Sequence, residues 1–350
     1  MRVLVTGGAG YIGSHTVRLL LRRGHRPVVI DTLEHGHREA VGDAPLVVGS
    51  VADRPLVREV IAEHEIEAVI HFAALKAAGE SVDDPAAYLD RNVGGALALL
   101  AEVDRARLGV FVYSSSAAIY GEPDRSPVPE DAAARPANPY GESKLLVERA
   151  LPWYEAHGLR HAILRYFNAA GAEPDGSHGE DAADATNLVP VVVASAVRDD
   201  RPVTIFGTDY PTPDGTAIRD YVHVGDLAEA HIRAVEHLAG GGSSCTLNLG
   251  TGRGSSVREV IAAVERAAGR SVRVVEADRR PGDPSAVWAD ARRAGEVLDW
   301  RARAGLDEIV RSAVLWQRRR PDGYGAPTAQ RGAVTAEPSP SVAGSIDGAA

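Results

Sequence analysis

The first half of the chain alternates short apolar runs with amphipathic segments. Strands are predicted over RVLVTG, RPVVID, AVIHFAA, GVFVYSSSA and HAILRYFNAAG. Helices are predicted over YIGSHTVRLLLRRG, PLVREVIAEHE, AAYLDRNVGGALALLAEVDRA and the segment that begins at NPYGESK. Strands that are apolar on both faces and alternate with helices indicate a parallel sheet covered on both sides. The predicted fold class is therefore α/β, with a Rossmann-type doubly wound sheet.

The regular alternation fades after about residue 170, where loops rich in Gly, Pro and Asp separate shorter elements. We expect a Rossmann domain over residues 1–169, a smaller α/β substrate-binding lobe over 170–320, and a disordered tail over 321–350. The amphipathic segment HVGDLAEAHIRAVEHL is expected to cross back and pack on the first lobe.

Composition narrows the classes of partner. The 350 residues carry a formal charge of −10, and a non-specific nucleic-acid binder would instead show a basic face, so no nucleic-acid partner is expected. One cysteine, Cys245, excludes an intrachain disulfide and favours the cytoplasm. No apolar stretch has the length of a membrane span or of a signal-peptide core, so no membrane partner is expected. The histidines lack metal-site spacing, and no metal is predicted.

A glycine-rich loop lies between the first predicted strand and helix. Gly7, Gly10 and Gly13 give the pattern G-x-x-G-x-x-G, which lets a pyrophosphate approach the backbone at a helix N-terminus. Asp31 ends the second strand about twenty residues later, where a carboxylate can bind the adenosine ribose and repel a 2′-phosphate. The pattern predicts NAD binding. The alternatives are a tight turn without a ligand and an Asp that caps a helix.

Tyr140 and Lys144 are four residues apart at the start of a predicted helix, so they share one face. Such a pair is also common by chance. Ser116 ends a predicted strand, where open α/β sheets place ligands, although it is also an ordinary polar residue for a strand end. Free tyrosine has a pKa near ~10, and a lysine ammonium together with a positive nicotinamide should lower it in Tyr140.

Eight stretches resemble one protein family: GGAGYIGSHT, VIHFAALKAAGESV, YSSSAAIYG, NPYGESK, LRYFNAAGA, TIFGTDYPTPDGTAIRDYVHV, NLGTG and RRPGDPSAVWAD. The chain resembles the extended short-chain dehydrogenase/reductase family, and within it the UDP-hexose 4-epimerases, up to about residue 320. The resemblance implies NAD-dependent interconversion of UDP-glucose and UDP-galactose through a bound 4-keto sugar that turns before it is reduced again. It also implies a homodimer and a place in galactose and carbohydrate metabolism.

The resemblance also implies residue roles. Tyr140 would be the acid/base, Lys144 its partner, and Ser116 the hydrogen-bonding partner of the sugar 4-hydroxyl. The implied cofactor positions are Gly7, Gly10, Tyr11, Ile12, Gly13, Asp31, Ser50, Val51, Phe72, Ala73, Lys76, Asn92, Tyr140, Lys144 and Phe167. The implied substrate positions are Lys76, Ser116, Tyr140, Asn168, Asn187, Leu188, Phe206, Arg219, Arg280, Asp283 and Val287. Ser50 departs from the family, which usually has an Asp there that bonds the adenine.

Other functions share many of these features. A nucleotide-sugar 4,6-dehydratase needs an Asp-Glu pair where this chain has Ala117 and Ala118. A reductase that releases its cofactor, or a non-catalytic NAD-sensing protein, are further alternatives. Cofactor retention and product analysis discriminate among them.

Two finer expectations follow from the family pattern. Helices NVGGALALLAEV and SKLLVERALPWY have broad apolar faces, which would pair across a two-fold axis unless both faces cover the sheet. Val287 stands where members restricted to UDP-hexoses carry a large aromatic. The hypothesis is that valine leaves room for a 2-acetamido group, so that UDP-N-acetylglucosamine and UDP-N-acetylgalactosamine are also interconverted.

Overall fold

The computed structural model describes residues 1–181, 185, 187–198, 201–280 and 282–325. Its strands are β1 (Arg2–Thr6), β2 (Arg26–Asp31), β3 (Leu46–Val48), β4 (Ala68–His71), β5 (Val110–Ser116), β6 (Arg160–Tyr166), β7 (Asn168–Ala170), β8 (Val203–Phe206), β9 (Ile218–Arg219), β10 (Tyr221–His223), β11 (Cys245–Leu249), β12 (Ser255–Ser256), β13 (Val274–Ala277) and β14 (Ala286–Val287). Its α-helices are α1 (Tyr11–Arg22), α2 (Arg54–Glu63), α3 (Ala78–Asp83), α4 (Pro85–Tyr88), α5 (Gly95–Arg105), α6 (Pro139–Ala150), α7 (Leu188–Arg198), α8 (Val224–Ala239), α9 (Val257–Ala268), α10 (Arg292–Leu298) and α11 (Leu306–Arg319).

The main sheet confirms the predicted Rossmann-type fold. Its seven strands run in the order β11-β6-β5-β4-β1-β2-β3, and every pair is parallel. Val3 pairs with Pro27 on one side and with Ala68 on the other. Strand order therefore reverses between β1 and β4, which is where open α/β sheets form a ligand crevice at their carboxyl edge.

Two apolar cores cover the two faces of this sheet. One core contains Val3 and Val5 of β1 together with Leu227 and Val235 of α8 and Leu247 of β11. The other joins the opposite face to α2, α5 and α6. Because α8 and β11 come from beyond residue 220, the first core is built from distant parts of the chain.

Two predicted elements are subdivided. The long helix predicted before the fourth core strand has a π-helical turn at Leu89–Gly94, between α4 and α5. Consecutive glycines, Gly94 and Gly95, weaken the helix there, and π-turns are frequent at functional sites. The strand predicted over HAILRYFNAAG divides at Phe167, because β6 pairs with β11 whereas β7 leaves to pair with β10.

Outside the main sheet, the described residues form a second lobe with an apolar core of its own and three small sheets, β10-β7, β12-β9-β14 and β13-β8. Val192 of α7, Val260 of α9 and Ile309 of α11 meet in its core. Among the described residues, no helix is long and apolar enough to cross a membrane. The tail expected to be disordered lies outside the described residues from 326 onward.

Candidate active site

The glycine loop leaves β1 and turns at once into α1. Gly7 has φ +70°, and a Cβ there would lie 2.6 Å from the Ala73 nitrogen. A Cβ on Gly13 would lie 2.2 Å from the Gly7 oxygen, so both glycines are required for the close packing of the loop. A Cβ on Gly10, the N-cap of α1, would meet only the Gly7 oxygen, at 3.3 Å, among the described atoms. The loop is therefore open at Gly10, as phosphate binding at this helix N-terminus requires.

Asp31 ends β2 beside this loop. Its carboxylate accepts hydrogen bonds from the Ala9 nitrogen at 3.0 Å and from the Leu33 nitrogen at 2.8 Å. Burial raises the pKa of Asp31 despite these two bonds. A carboxylate offers about four acceptor sites, so capacity remains for ribose hydroxyls. The bonds connect two loops, and neither is the cap of an α-helix.

Other predicted cofactor positions line the same edge of the sheet. The Tyr11 hydroxyl donates to the Gly171 carbonyl at 2.6 Å and so joins α1 to the second lobe. Phe72 and Ala73 leave β4 with both N–H groups donating to the Thr6 carbonyl. Ile12 packs against the core shared by β1 and α8.

Ser50 and Val51 follow β3. Ser50 is exposed, and its hydroxyl accepts from the Ala52 nitrogen at 3.1 Å. Val51 is buried in the core between α2 and α5. The serine hydroxyl is therefore engaged in a local turn.

Asn92 and Lys76 both make contacts within the protein. The Asn92 side chain accepts from the Leu75 nitrogen at 2.8 Å and donates to the Leu75 oxygen at 3.1 Å. It also donates to the Ser143 hydroxyl at 3.0 Å, which ties the π-helical turn to α6. The Lys76 ammonium pairs with Glu180 at 3.0 Å across the two lobes, and the side chain is 57% exposed.

The three predicted catalytic residues meet at the carboxyl end of β5. Asn138 caps α6 by accepting from the Gly141 nitrogen at 2.9 Å, and this cap sets the first helical turn, which contains Tyr140. The Lys144 ammonium donates to the Ser114 carbonyl at 2.9 Å. It lies 5.9 Å from the centre of the Tyr140 ring. The Ser116 hydroxyl accepts from the Ala118 nitrogen at 3.1 Å and also interacts with the Tyr140 phenol.

The sequence predicted a lowered pKa for Tyr140. That prediction is wrong when only groups of the protein act on the phenol. Burial raises the pKa of Tyr140, and the hydrogen bond from Ser116 offsets this in part. Burial also lowers the pKa of Lys144 to about 8, against the attraction of the Glu148 carboxylate. The sequence showed the charge of Lys144 but not the desolvation of both groups, which dominates here.

Several predicted substrate positions gather in the second lobe. Arg219 donates to Asp283 at 2.8 Å, and the Arg280 guanidinium lies 3.8 Å from the centre of the Phe206 ring. Val287 of β14 pairs in register with Arg219 of β9.

Phe167 and Val287 connect this group to the catalytic helix. Both pack in one buried cluster with Leu145, the residue after Lys144. Asn168 begins β7 and donates its backbone N–H to the Asp220 carbonyl at 2.9 Å. Asn187 and Leu188 stand apart from this cluster, at the beginning of α7.

Asp220 is a structural residue of this lobe that the sequence analysis missed. Its buried carboxylate accepts from the nitrogens of Thr251, Gly252 and Ala289 and from the Thr251 hydroxyl at 2.6 Å. It therefore fixes the loop after β11 and the segment after β14 against β9. The RDY and NLGTG stretches gave a signal, since a carboxylate next to the apolar segment YVHV is buried only if it has hydrogen-bond donors.

Among the described residues, no group of three or more His, Cys, Asp or Glu side chains is arranged to hold a metal ion.

Comparison with known proteins identifies the relatives of this chain. The model of the NAD dependent epimerase/dehydratase family matches residues 3–250. A UDP-glucose 4-epimerase of Azospirillum brasilense is 47% identical over 337 residues, which cover 95% of this chain and 97% of that protein. A crystal structure of UDP-glucose 4-epimerase from Brucella ovis in complex with NAD is 47% identical with a TM-score of 0.87, and the match covers 89% of this chain and 97% of that chain. The Bifidobacterium longum enzyme in complex with NAD+ and UDP is 39% identical with a TM-score of 0.88, over 93% of this chain and 100% of that one.

Proposed function

Because the chain belongs to the NAD dependent epimerase/dehydratase family, we propose that it interconverts UDP-glucose and UDP-galactose as an NAD-dependent isomerase. The observation that carries this proposal is the meeting of Ser116, Tyr140 and Lys144 at the crevice of a Rossmann sheet, beside an open glycine loop. The relatives reported above have this activity in their names.

The residues at the glycine loop fit NAD. Gly7, Gly10 and Gly13 would admit the pyrophosphate, and Asp31 has acceptor capacity for the adenosine ribose. The remaining proposed cofactor positions, described above, line the same edge from β1 to β5. The chemistry that bound NAD supplies is reversible acceptance of the hydride from C4 of the sugar.

The side chains of the protein handle the proton. Tyr140 would remove the proton of the sugar 4-hydroxyl through its phenol oxygen and return it after the sugar has turned. The Lys144 ammonium would favour the phenolate, and the Ser116 hydroxyl, which interacts with the phenol, would align the substrate hydroxyl. Burial raises the pKa of the phenol, so deprotonation of Tyr140 during the reaction would depend on positive charge placed near it.

The second lobe would anchor the nucleotide while the sugar turns. Arg219 and Arg280 can form charge-assisted hydrogen bonds to the diphosphate, and the ion pair of Arg219 with Asp283 holds one guanidinium in place. The aromatic ring of Phe206 makes a cation–π contact with the Arg280 guanidinium. We assign Lys76, Asn168, Asn187 and Leu188 to the same nucleotide-sugar site.

The decisive experiment is incubation of the purified protein with UDP-galactose and no added cofactor. We expect UDP-glucose to accumulate to equilibrium, with NAD released only on denaturation. A requirement for stoichiometric cofactor would indicate a reductase, and a 4-keto-6-deoxy product would indicate a dehydratase. NAD binding without turnover of any UDP-hexose would indicate a non-catalytic NAD-sensing protein.

The two lobes would divide this work. We propose residues 1–169 as the NAD-binding unit and 170–320 as the UDP-sugar unit, with α8 and β11 returning to the first. The single thiol, Cys245, is buried and free. A free thiol suits a protein of the reducing cytoplasm, and we propose that the protein acts there in galactose metabolism.

The small side chain of Val287 is an argument for a second pair of substrates. Its side chain is buried beside Phe167 and Leu145, at the junction of the two lobes. Valine is smaller than tyrosine by an aromatic ring, and overpacking by a bulky substituent costs roughly 1–3 kcal/mol. We therefore propose that UDP-N-acetylglucosamine and UDP-N-acetylgalactosamine are interconverted as well.

The test compares both substrate pairs in the wild type, Val287→Tyr and Val287→Ala. We expect Val287→Tyr to lose the N-acetyl activity by about ten- to hundredfold while it keeps most of the hexose activity. Val287→Ala is the matched control and should keep both. No N-acetyl turnover by a wild type that converts UDP-galactose would refute the proposal.

A homodimer is also proposed. Leu97 on α5 is 39% exposed and Trp153, just after α6, is 80% exposed. Leu89 in the adjoining π-helical turn is 41% exposed. Large apolar side chains on neighbouring helices are typical of an interface, and a two-fold axis would pair these helices with their copies.

A further inference from the structure

Three residues on α6 face three consecutive serines of β5. Tyr140, Lys144 and Glu148 follow each other at intervals of one helical turn and therefore share one face. Lys144 donates to the Ser114 carbonyl and Glu148 accepts from the Ser115 hydroxyl, while Tyr140 interacts with the Ser116 hydroxyl. Only the first two of these helix residues have a place in the proposed reaction.

Glu148 forms a buried ion pair with Arg165 of β6. The Arg165 Nη2 lies 2.6 Å from Glu148 Oε2, and its Nε contacts both carboxylate oxygens, at 3.1 and 3.2 Å. The side chains are 4% and 12% exposed for Glu148 and Arg165 respectively. Burying an ion pair has a large desolvation cost, so the pair is weak evidence for a purely stabilising role.

Arg165 is itself fixed on its far side. Its Nη1 donates to the Tyr120 hydroxyl and to the Glu130 carbonyl, both at 2.9 Å. The Tyr120 hydroxyl donates in turn to Asn248 of β11 at 2.7 Å. The carboxylate of Glu148 is therefore attached through Arg165 to two strands and to the segment between β5 and α6.

We propose that Glu148 and Arg165 are positioning residues, which hold α6 against β5 so that Tyr140 and Lys144 stand opposite Ser116 and Ser114. This inference rests on the proposed function for the role of Tyr140. The pair would act in two ways. It fixes the helix in its register with the strand, and it places one negative and one positive charge behind the ammonium of Lys144.

The two charges give opposite electrostatic effects when removed singly. Without the Glu148 carboxylate, deprotonation of both Lys144 and Tyr140 becomes easier, so the pH profile moves to lower pH. Without the Arg165 guanidinium, the remaining carboxylate makes both deprotonations harder, so the profile moves to higher pH. Other titratable or charged groups facing this site are Tyr88, Tyr113, Tyr120 and Tyr166 from the neighbouring elements and His71 from β4.

The experiment measures kcat and KM against pH for the wild type, Glu148→Gln and Arg165→Met. We expect kcat at the optimum to fall about ten- to hundredfold in both variants, with a smaller change in KM. The profile should shift by about one pH unit, downward in Glu148→Gln and upward in Arg165→Met. Glu229→Gln is the matched control, because it removes the carboxylate of another arginine pair, 2.7 Å from Arg233, on α8.

A second readout needs no turnover. The tyrosinate absorbance of each protein is titrated, and the spectrum of the same protein with Tyr140→Phe is subtracted, so that the titration of Tyr140 alone is followed. It should shift in the same opposite directions. If the wild type does not convert UDP-galactose, the proposed function fails, yet this titration still tests the inference.

Ser115→Ala covers the case in which a charge variant does not fold. It removes one hydrogen bond to Glu148 and no charge, so kcat should fall about three- to tenfold with an unshifted pH profile. Wild-type kcat in Ser115→Ala would overturn the positioning role. Profile shifts of the same sign in both charge variants, or lower thermal stability with unchanged kcat and pH profile, would likewise overturn it.

Discussion

At the scale of single residues, burial and charge act on Tyr140 in opposite directions. Burial raises its pKa and the Ser116 hydroxyl offsets part of that rise, and a positive charge close to the phenol, such as the nearby Lys144 ammonium, would favour the phenolate. The side chain therefore stores its proton until positive charge and the substrate hydroxyl are both present. This arrangement suits a group that must take a proton and give it back within one catalytic cycle.

Tyr140→Phe should keep the fold and lower kcat by roughly 10²–10⁴-fold, because a positioned acid/base contributes about that much. UDP-galactose conversion measures the loss, and thermal unfolding with NAD retention checks the fold. Tyr154→Phe is a control, since this half-buried tyrosine lies in the turn after α6. Near-wild-type turnover in Tyr140→Phe would remove the phenol from the reaction.

Sequence reasoning found some of these residues and missed others for one reason. Tyr140 and Lys144 are neighbours on a helix, so their spacing alone predicts a shared face. Glu148 and Arg165 meet only because α6 packs across β5 onto β6, and that contact is tertiary. The signal was an arginine within the apolar strand HAILRYF, which requires a buried anionic partner that the sequence does not identify.

At the scale of elements, hydrophobic periodicity predicted β1, β2, β4, β5 and β6 of the main sheet and most of the helices between them, but it missed the edge strand β3 and the short helix α3. It did not predict the π-helical turn at Leu89–Gly94 or the divergence of β7 from β6. Both features depend on where the neighbouring elements lie. Asn92 turns toward the Leu75 backbone, and β7 follows β10 of the second lobe. The local pattern of apolar and polar residues does not show which distant segments these elements will contact.

Gly13→Ala should separate α1 from the glycine loop. The added Cβ would lie 2.2 Å from the Gly7 oxygen and 2.9 Å from the Gly8 Cα, both of them backbone atoms that cannot yield cheaply. We expect loss of retained NAD and a lower unfolding temperature, read from the released cofactor and from a thermal melt. Gly79→Ala on α3 is the control, because nothing lies within 4 Å of its added Cβ. Full NAD retention in Gly13→Ala would contradict the tight loop.

At the scale of the whole molecule, the exposed apolar residues on α5 and after α6 predict a dimer in solution. Leu97→Arg should give a monomer mass in sedimentation at micromolar concentration, because a buried charge without a partner is costly at an interface. Val48→Arg is the control, since this apolar residue, 51% exposed against 39% for Leu97, lies on the edge strand β3. A monomeric wild type, or an unchanged dimer in Leu97→Arg, would argue against this interface.

The molecule should also lose stability in acid. Burial lowers the pKa of His15 and His71 to about 3 and that of His231 to about 4. Below pH ~6.5 the unfolded chain binds protons at these histidines and the native protein does not, so the free energy of unfolding decreases as the pH falls from 6.5 toward 3. His15→Gln should flatten this slope relative to the exposed control His35→Gln, as measured by urea unfolding. An equal slope in the two variants would disprove the role of His15.

The return of α8 and β11 to the first core has a consequence for synthesis of the protein. As the chain leaves the ribosome, β6 is an open edge strand until β11 has emerged, and the part of the apolar face that α8 covers stays exposed until residue 239 has emerged. Open edges and exposed apolar faces are the surfaces on which nascent chains aggregate. The NAD-binding unit is therefore completed late, after the segments of the UDP-sugar unit that precede β11 have been synthesised. Nascent chains that end before β11 should stay bound to chaperones while translation continues.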